Sequence, residues 1–314
     1  MSDDKSKTCL VIIFNHRYDK NISKLRQIYG ERFSDIRFLM PFYDGDDPDV
    51  IPVYESSYQF QGFFIQAYEK LKNISCTHYL FIADDLIINP RFNEYNFVDN
   101  IPGGVKYLIK SFKILNSPSV FRWKWTVISS RPFYNRQTEW QSSLPTYEKA
   151  LAKFHEFFQT QYPQYYTEEF FGDPNKPGNT LFGTWNDLEG FQFLKNKFIR
   201  QENRGSLQIP YPMAYGYSDI FCIKKESLFE FSRLCGIFSA MNLFVEISIP
   251  TAAVLTFNRN EVKFFGDDNN ILLWSVEDRN NFAKNFNYEF KNLCSAWNEN
   301  LIFVHPIKLS NWRI

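Results

Sequence analysis

Two adjacent carboxylates, Asp84 and Asp85, stand where the apolar run Tyr79-Leu80-Phe81-Ile82-Ala83 ends, and Leu86-Ile87-Ile88 follows them. An apolar run of that length predicts a strand buried on both faces, as in the parallel sheets of α/β proteins. Open α/β sheets bind ligands at the edge where such strands end. Neighbouring acids at that edge repel each other and lose hydration, so a cation is needed to keep both ionised. Oxygen ligands on a short turn suit Mg2+ or Mn2+, with waters and a substrate diphosphate completing the shell. The plainer alternative is a turn in which the two acids cap the next element.

Three further places carry chemistry. Glu246 lies inside the apolar run Leu243-Phe244-Val245-Glu246-Ile247-Ser248-Ile249. A carboxylate in such surroundings is paired, protonated or functional. His305 ends the apolar run Leu301-Ile302-Phe303-Val304 and is followed by Pro306 and Lys308. A neutral imidazole there is a good ligand for manganese, and a His-Pro turn closing a strand is the simpler use of it. Tyr215-Gly216-Tyr217-Ser218-Asp219 is a glycine-containing turn; glycine permits close backbone approach, and the neighbouring polar groups suit sugar hydroxyls as well as an ordinary turn.

The elements that must position these residues follow an α/β rhythm. Cys9–Phe14 predicts a strand, the segment opening at Asn21 a helix, Ile36–Met40 a strand, and about Tyr58 to Leu71 an amphipathic helix before the strand at Tyr79. That alternation implies a parallel sheet with right-handed crossovers. Residues 118–210 break the rhythm with Trp123, Trp125, Trp140 and Trp185, a helix near Tyr147 to Phe158, and a turn-rich stretch from Gly172 to Asn179. Their apolar density predicts an insertion or subdomain rather than a linker. Afterwards come a strand at Asp219–Ile223, a helix at Ser227–Cys235, a helical region from Met241 to Phe257 interrupted by Pro250, and a last strand at Leu301–Val304.

Composition narrows the function. The 314 residues carry 35 basic and 35 acidic side chains, with no basic tract, so neither nucleic acid nor an anionic membrane is the expected partner. Aromatics make up 19% of the chain, more ring surface than a core requires, which suits a site for flat or sugar-like ligands; compositional bias is the simpler source. Five scattered cysteines without Cys-x-x-Cys spacing favour a reducing compartment. The polar start Met1–Lys7 runs into a strand, no secretory signal is read there and no apolar stretch reaches spanning length, so a cytoplasmic location is expected.

An acidic strand end, a Gly-containing turn, an isolated acid in an apolar helix and a histidine at the end of the last strand occur in that order. The order resembles the GT-A glycosyltransferases, over roughly the first and last hundred residues. The resemblance implies a mostly parallel twisted sheet flanked by helices, here with an aromatic-rich insertion, in a single domain. Its nucleotide-binding half would be 8–117, its acceptor region 118–210, and its acceptor and metal-completing half 211–314. In the family an Asp-x-Asp motif binds the donor's ribose and metal. Ala83-Asp84-Asp85 stands in that place, so Asp85 matches the metal-binding acid, while Ala83 departs from the first acid and leaves Asp84 to take over part of its work. His305 would complete the metal shell and Lys308 neutralise the leaving phosphate. Gly216, Tyr217 and Ser218 would lie beneath the acceptor sugar, with Trp125 and Trp140 contributing to the same side. Glu246 would be the general base of an inverting reaction, with Asp219 in reserve. Asn15, His16 and Arg17 after the first strand, and Tyr43 and Asp44 after the third, would hold the donor. Arg17 would meet the diphosphate and Tyr43 would stack on a pyrimidine.

The resulting expectation is a metal-dependent glycosyltransferase taking a sugar from a nucleotide-diphosphate sugar, a UDP-sugar foremost, to a carbohydrate hydroxyl. A retaining course stays open. Two alternatives stand beside it. One is a catalytically silent carbohydrate-binding or scaffold protein, which the departure at Ala83 keeps alive. The other is a sugar-1-phosphate nucleotidyltransferase, disfavoured because no glycine lies between Phe14 and Leu25.

Overall fold

The computed structural model describes residues 7–98, 105–115, 133, 139, 142–160, 166–167, 206–207, 211–266 and 268–314. The chain divides into two compact units, one of residues 1–111, 219–228 and 261–314, the other of residues 112–218 and 229–260. The expected strand–helix alternation builds the first unit. Its elements are β1 (Thr8–Ile13), α1 (Lys20–Tyr29), β2 (Ile36–Pro41), β3 (Val50–Val53), α2 (Gly62–Leu71), β4 (His78–Ala83), β5 (Ile87–Ile88) and β6 (Tyr107–Ile109). They continue with β7 (Ile220–Lys224), β8 (Val262–Phe264), β9 (Asn270–Leu272), α3 (Val276–Asn285), α4 (Phe290–Ser295) and β10 (Phe303–His305).

Seven strands form one sheet in the order β8-β6-β7-β4-β1-β2-β3. All pairings are parallel except those of β7, which runs against both neighbours. The architecture is therefore the mostly parallel, helix-flanked sheet that the GT-A resemblance implies. Every residue of β1 is buried, which is why its sequence is an unbroken apolar run rather than an alternating one. Aromatic rings fill the layer beneath α2: Phe64 meets Phe81 at 5.0 Å, and Phe81 stacks on Phe221 at 4.8 Å. A second sheet, β9-β10-β5, has β9 parallel to β10 and β10 antiparallel to β5, so it joins the residues after the acidic turn to the strand ending at His305.

The second unit holds the helix Tyr147–Phe158 at its expected bounds, an antiparallel pair Phe112–Ile114 and Ala214–Gly216, a short pair Tyr166–Thr167 and Ser206–Leu207, and the helices Leu228–Ala240 and Val245–Thr256. Leu228 itself belongs to the first unit.

Several elements differ from the sequence reading. The helix expected from Tyr58 begins at Gly62, after a single 3-10 turn at Ser57–Gln59. The helix expected to end at Cys235 continues to Ala240. Pro250 does not interrupt its helix. Ten of the twelve residues of Val245–Thr256 are buried, and that packing outweighs the hydrogen bond the proline cannot donate. The strand β3 carries Pro52, which discourages a strand assignment from sequence; β3 lies at the sheet edge, where a missing N–H is tolerated. Among the described residues no helix is long and apolar enough to cross a membrane.

Candidate active site

The acidic pair sits on a tight turn. The Leu86 N–H donates to the Ala83 carbonyl at 3.1 Å, so Asp84 and Asp85 are the two central residues between β4 and β5. Ala83, Ile13 and Leu39 lie level in register, placing the turn on the sheet edge where β1, β2 and β4 end. Ala83 is still strand, buried, with its N–H donated to the Asp219 carbonyl at 2.9 Å. A carboxylate at position 83 would therefore be enclosed by the sheet, and the acids stand one step later.

The two carboxylates have different surroundings. Asp84 is buried and is bonded by the Asn15 backbone N–H and the Asn21 side chain. Burial, and next the charge of Asp85, push its pKa up to about 7 against those hydrogen bonds. Asp85 is more open, and its Oδ1 lies 3.1 Å from His305 Nε2. His305 is buried at the end of β10, with its carbonyl accepting the Leu273 N–H and the Trp274 ring set edge-on against the imidazole at 5.8 Å. Burial works against the imidazolium, but the charges of Asp219, Asp85 and Asp84 outweigh it and raise the His305 pKa. The pKa of Asp219 is raised in turn, by burial first, with His305 opposing and Asp85 adding to the rise. The structure thus gathers Asp84, Asp85, Asp219 and His305 from three separate stretches of sequence.

A cavity of about 630 Å3 opens beside the turn. Its walls include Asn15, His16 and Tyr18 after β1, Asn21 on α1, both acids, Arg279 on α3, and the segment from Pro306 to Ser310 after β10. Lys24 holds that last segment in place through the Leu309 and Trp312 carbonyls, both at 2.8 Å. Arg279 Nη1 donates to the carbonyls of Leu273 and Trp274 at 3.1 and 2.9 Å, which fixes its guanidinium on the segment just after β9 that also supports His305.

Asp85 Oδ1 and His305 Nε2 are in direct hydrogen-bond contact, and they are the two donor atoms here that a divalent cation could share. Neighbouring ligands of an octahedral shell with bonds of about 2.1 Å lie about 3.0 Å apart, close to the Asp85–His305 separation. Among the described residues no group of three or more His, Cys, Asp or Glu side chains that could hold a metal occurs. A two-residue site leaves the remaining positions to water and substrate phosphate, as magnesium commonly arranges.

Of the expected donor residues, Asn15, His16, Asp84, Asp85 and Lys308 come together at this cavity. Arg17 does not: its guanidinium is held by Asp19 at 3.2 Å and Asp44 at 2.6 Å, and lies over the Tyr43 ring at 5.7 Å. The cations that line the cavity are Arg279 and Lys308. Tyr43 is covered on one face by Arg17 and its hydroxyl accepts the Asp47 N–H at 3.1 Å, so it is a poor stacking surface. Asp44 completes that cluster. Sequence reasoning missed Arg279, Asn21, Tyr18 and Ser310. Only the capping box at Ser275 and Asp278 marks the helix that carries Arg279, and it says nothing of where that helix lies.

The described residues that were expected on the acceptor side, with Glu246, belong to the second unit. Glu246 stands half-buried in the first turn of the helix Val245–Thr256. Gly216 ends a strand, Tyr217 is half-buried, and Ser218 is buried with its hydroxyl donated to the Gly216 carbonyl at 3.1 Å. Ser218 therefore braces the turn instead of offering a free hydroxyl. Trp125 and Trp140 lie outside the described residues.

No family model and no curated protein matches the chain. Among solved structures, the mannosyltransferase Ktr4p from S. cerevisiae in complex with GDP superposes with a TM-score of 0.34 at 11% identity, over 83% of this chain and 69% of that one. Core-mannan synthase A (CmsA/Ktr4) from Aspergillus fumigatus, in a Mn/GDP form, superposes with a TM-score of 0.38 at 7% identity, over 84% and 74% respectively. At these scores the likeness carries no weight for activity or substrate.

Proposed function

We propose that the protein is a metal-dependent glycosyltransferase using a nucleoside-diphosphate sugar. One observation carries this reading: Asp85 and His305 meet at 3.1 Å beside a cavity that also presents two cations, Arg279 and Lys308, at the carboxyl edge of a parallel sheet. Asp85 and His305 would hold the cation, which when bound polarises the diphosphate. Arg279 and Lys308 face the charge that grows on the leaving phosphate as the bond from sugar to phosphate breaks. Asn21 and the Asn15 backbone hold Asp84, and through it the turn, in place. In the sequence reading Glu246, on the second unit, serves as the general base of an inverting reaction, taking the proton of the acceptor hydroxyl as its oxygen bonds to the anomeric carbon.

The test is thermal unfolding with UDP and GDP, each with and without Mn2+. The sequence expectation is uridine, and GDP stands beside it as the purine comparison. Nucleotide at a hundred times its dissociation constant should add about 2.7 kcal/mol, and only with metal present. A shift indifferent to metal removes the metal-bridged site, and no shift with either nucleotide removes the donor site. Nucleotide binding without transfer or hydrolysis of any nucleotide sugar would instead support the silent binding protein.

A further inference from the structure

A second cavity, of about 500 Å3, opens in the first unit, and it shares no described lining residue with the cavity beside the acidic turn. It lies at the far end of the small sheet β9-β10-β5. Asp85 stands just before β5 and His305 closes β10, whereas Arg91 follows β5 and Ile302 precedes β10. From Ile302 to His305 an extended chain covers about 10 Å. The buried walls are apolar: Phe92, Phe97 and Leu108, the two rings meeting edge-to-face at 5.3 Å. Phe265 adds a ring set edge-on against Phe303 at 6.2 Å. The more open lining is polar, with Arg91, Lys263, Asn96, Asn269 and Asn300, and no carboxylate is among the described lining residues.

These side chains are set and in part unspent. The Arg91 guanidinium lies on the Phe92 ring at 4.7 Å and makes no ion pair among the described residues. Stacking holds a guanidinium by its face and leaves its in-plane N–H donors available. Asn96 is braced, its Nδ2 donating to the Arg91 carbonyl and its Oδ1 accepting the Asn93 N–H, both at 2.8 Å. Asn269 gives its Nδ2 to the Phe265 carbonyl at 3.1 Å, which leaves its Oδ1 open, and the Asn300 amide makes no hydrogen bond among the described residues. Carboxamides match hydroxyl groups, which both donate and accept, and rings match the C–H face of a sugar. Two cations call for an anion. A fatty chain would leave the amides and cations unmatched, and a bare anion would leave the apolar walls unused. The volume is that of a small-molecule site. We infer that this cavity is a second ligand site, taking a sugar unit that carries a phosphate or a carboxylate, with no metal required. The inference does not depend on the donor-site reading above.

Titration calorimetry in EDTA, with glucose 6-phosphate, glucuronate, glucose and inorganic phosphate, tests it. At least one charged sugar should bind about 10-fold or more tighter than both glucose and inorganic phosphate. The arm that binds better identifies the anion as phosphate or carboxylate. Arg91→Gln should cost that ligand about 10- to 100-fold in affinity and Asn300→Ala about 2- to 10-fold, while Asp85→Ala costs nothing. Arg91 and Asn300 are both exposed, so these variants should melt as the wild type does. Glucose or inorganic phosphate bound as tightly as the charged sugars would overturn the assignment, as would no binding of either charged sugar at millimolar concentration. Affinity lost in Asp85→Ala and kept in Arg91→Gln would put the ligand at the acidic turn and overturn the second site. Since no metal is present, failure here is distinct from failure of the Mn2+-dependent nucleotide test.

Discussion

The two edges of the seven-stranded sheet carry charge in opposite ways. At the edge where the parallel strands begin, acids and bases alternate in contact: Lys7 with Asp35, Arg37 with Asp35 and Asp49, Arg26 with Asp47 and Asp49, Lys106 with Glu261. At the edge where they end, Arg17 is paired with Asp19 and Asp44, but nearer the acidic turn Asp84, Asp85 and Asp219 crowd around one histidine, while Arg279 and Lys308 line the cavity without a salt-bridge partner among the described residues. Compensated charge holds strands and loops in place and is worth little pair by pair. Uncompensated charge is costly and persists where a ligand completes it. The contrast separates a supporting edge from a working one, and variants on each side should behave differently.

The largest effect is expected from Glu246→Gln, which keeps the side chain's shape but cannot take a proton. Turnover should fall about 100- to 10,000-fold with nucleotide binding nearly intact. If Glu246 only holds a buried ion pair, the variant should instead lose roughly 3 kcal/mol or more of stability. Next, Asp85→Ala and His305→Ala should each weaken Mn2+-dependent nucleotide binding by more than about 100-fold, beyond what loss of an outer-shell partner costs. Calorimetry with and without Mn2+ checks this; variants that keep the metal dependence would blur the distinction between the edges.

What could be read from the sequence follows from how local each signal is. The buried runs of β1 and β4 announce themselves because a strand covered on both faces must be apolar throughout, and the acids that end β4 mark the edge. His305 was placed by the same logic at the end of β10. The partnership of Asp85 with His305 spans 220 residues; the family resemblance implies it, and the pairing of β5 with β10 is what brings the two side chains together. Arg279 was illegible because its placement comes from two carbonyls of the segment after β9, which no spacing encodes. Arg17 shows the same limit: its pairing with Asp19 and Asp44 depends on loop contacts that its place after the first strand does not reveal.

Arg279→Gln sharpens the working edge at smaller scale. The loss of one fixed donor facing a developing phosphate charge should lower turnover about 10- to 100-fold, somewhat less than loss of a buried oxyanion-hole donor. Melting temperature should stay within the range of ordinary surface changes. Steady-state kinetics across donor concentrations reads it, and a change confined to KM would mean the guanidinium binds ground state and transition state alike.

The smallest effect, and the one that isolates the supporting edge, belongs to His78. It begins β4, with its Nδ1 2.9 Å from the Thr77 hydroxyl, and burial first, then the Lys224 cation, lower its pKa to about 4, while Glu226 opposes them. In the unfolded chain the imidazole takes a proton near its ordinary value of about 6.5. Between those two values the unfolded state binds more protons than the folded one, so stability is fully present above about pH 6.5 and is lost as pH falls toward 4. Partial exposure discounts the shift, leaving a loss of about 1 to 3 kcal/mol. His78→Gln keeps a polar partner for Thr77 and removes the titration. Urea unfolding at pH 7 and at pH 4.5 should show a smaller acid loss in the variant than in the wild type, while nucleotide binding at pH 7 stays the same. Equal acid losses would show that carboxylates elsewhere set the acid limit, and a change in nucleotide binding would show that the two edges are not independent.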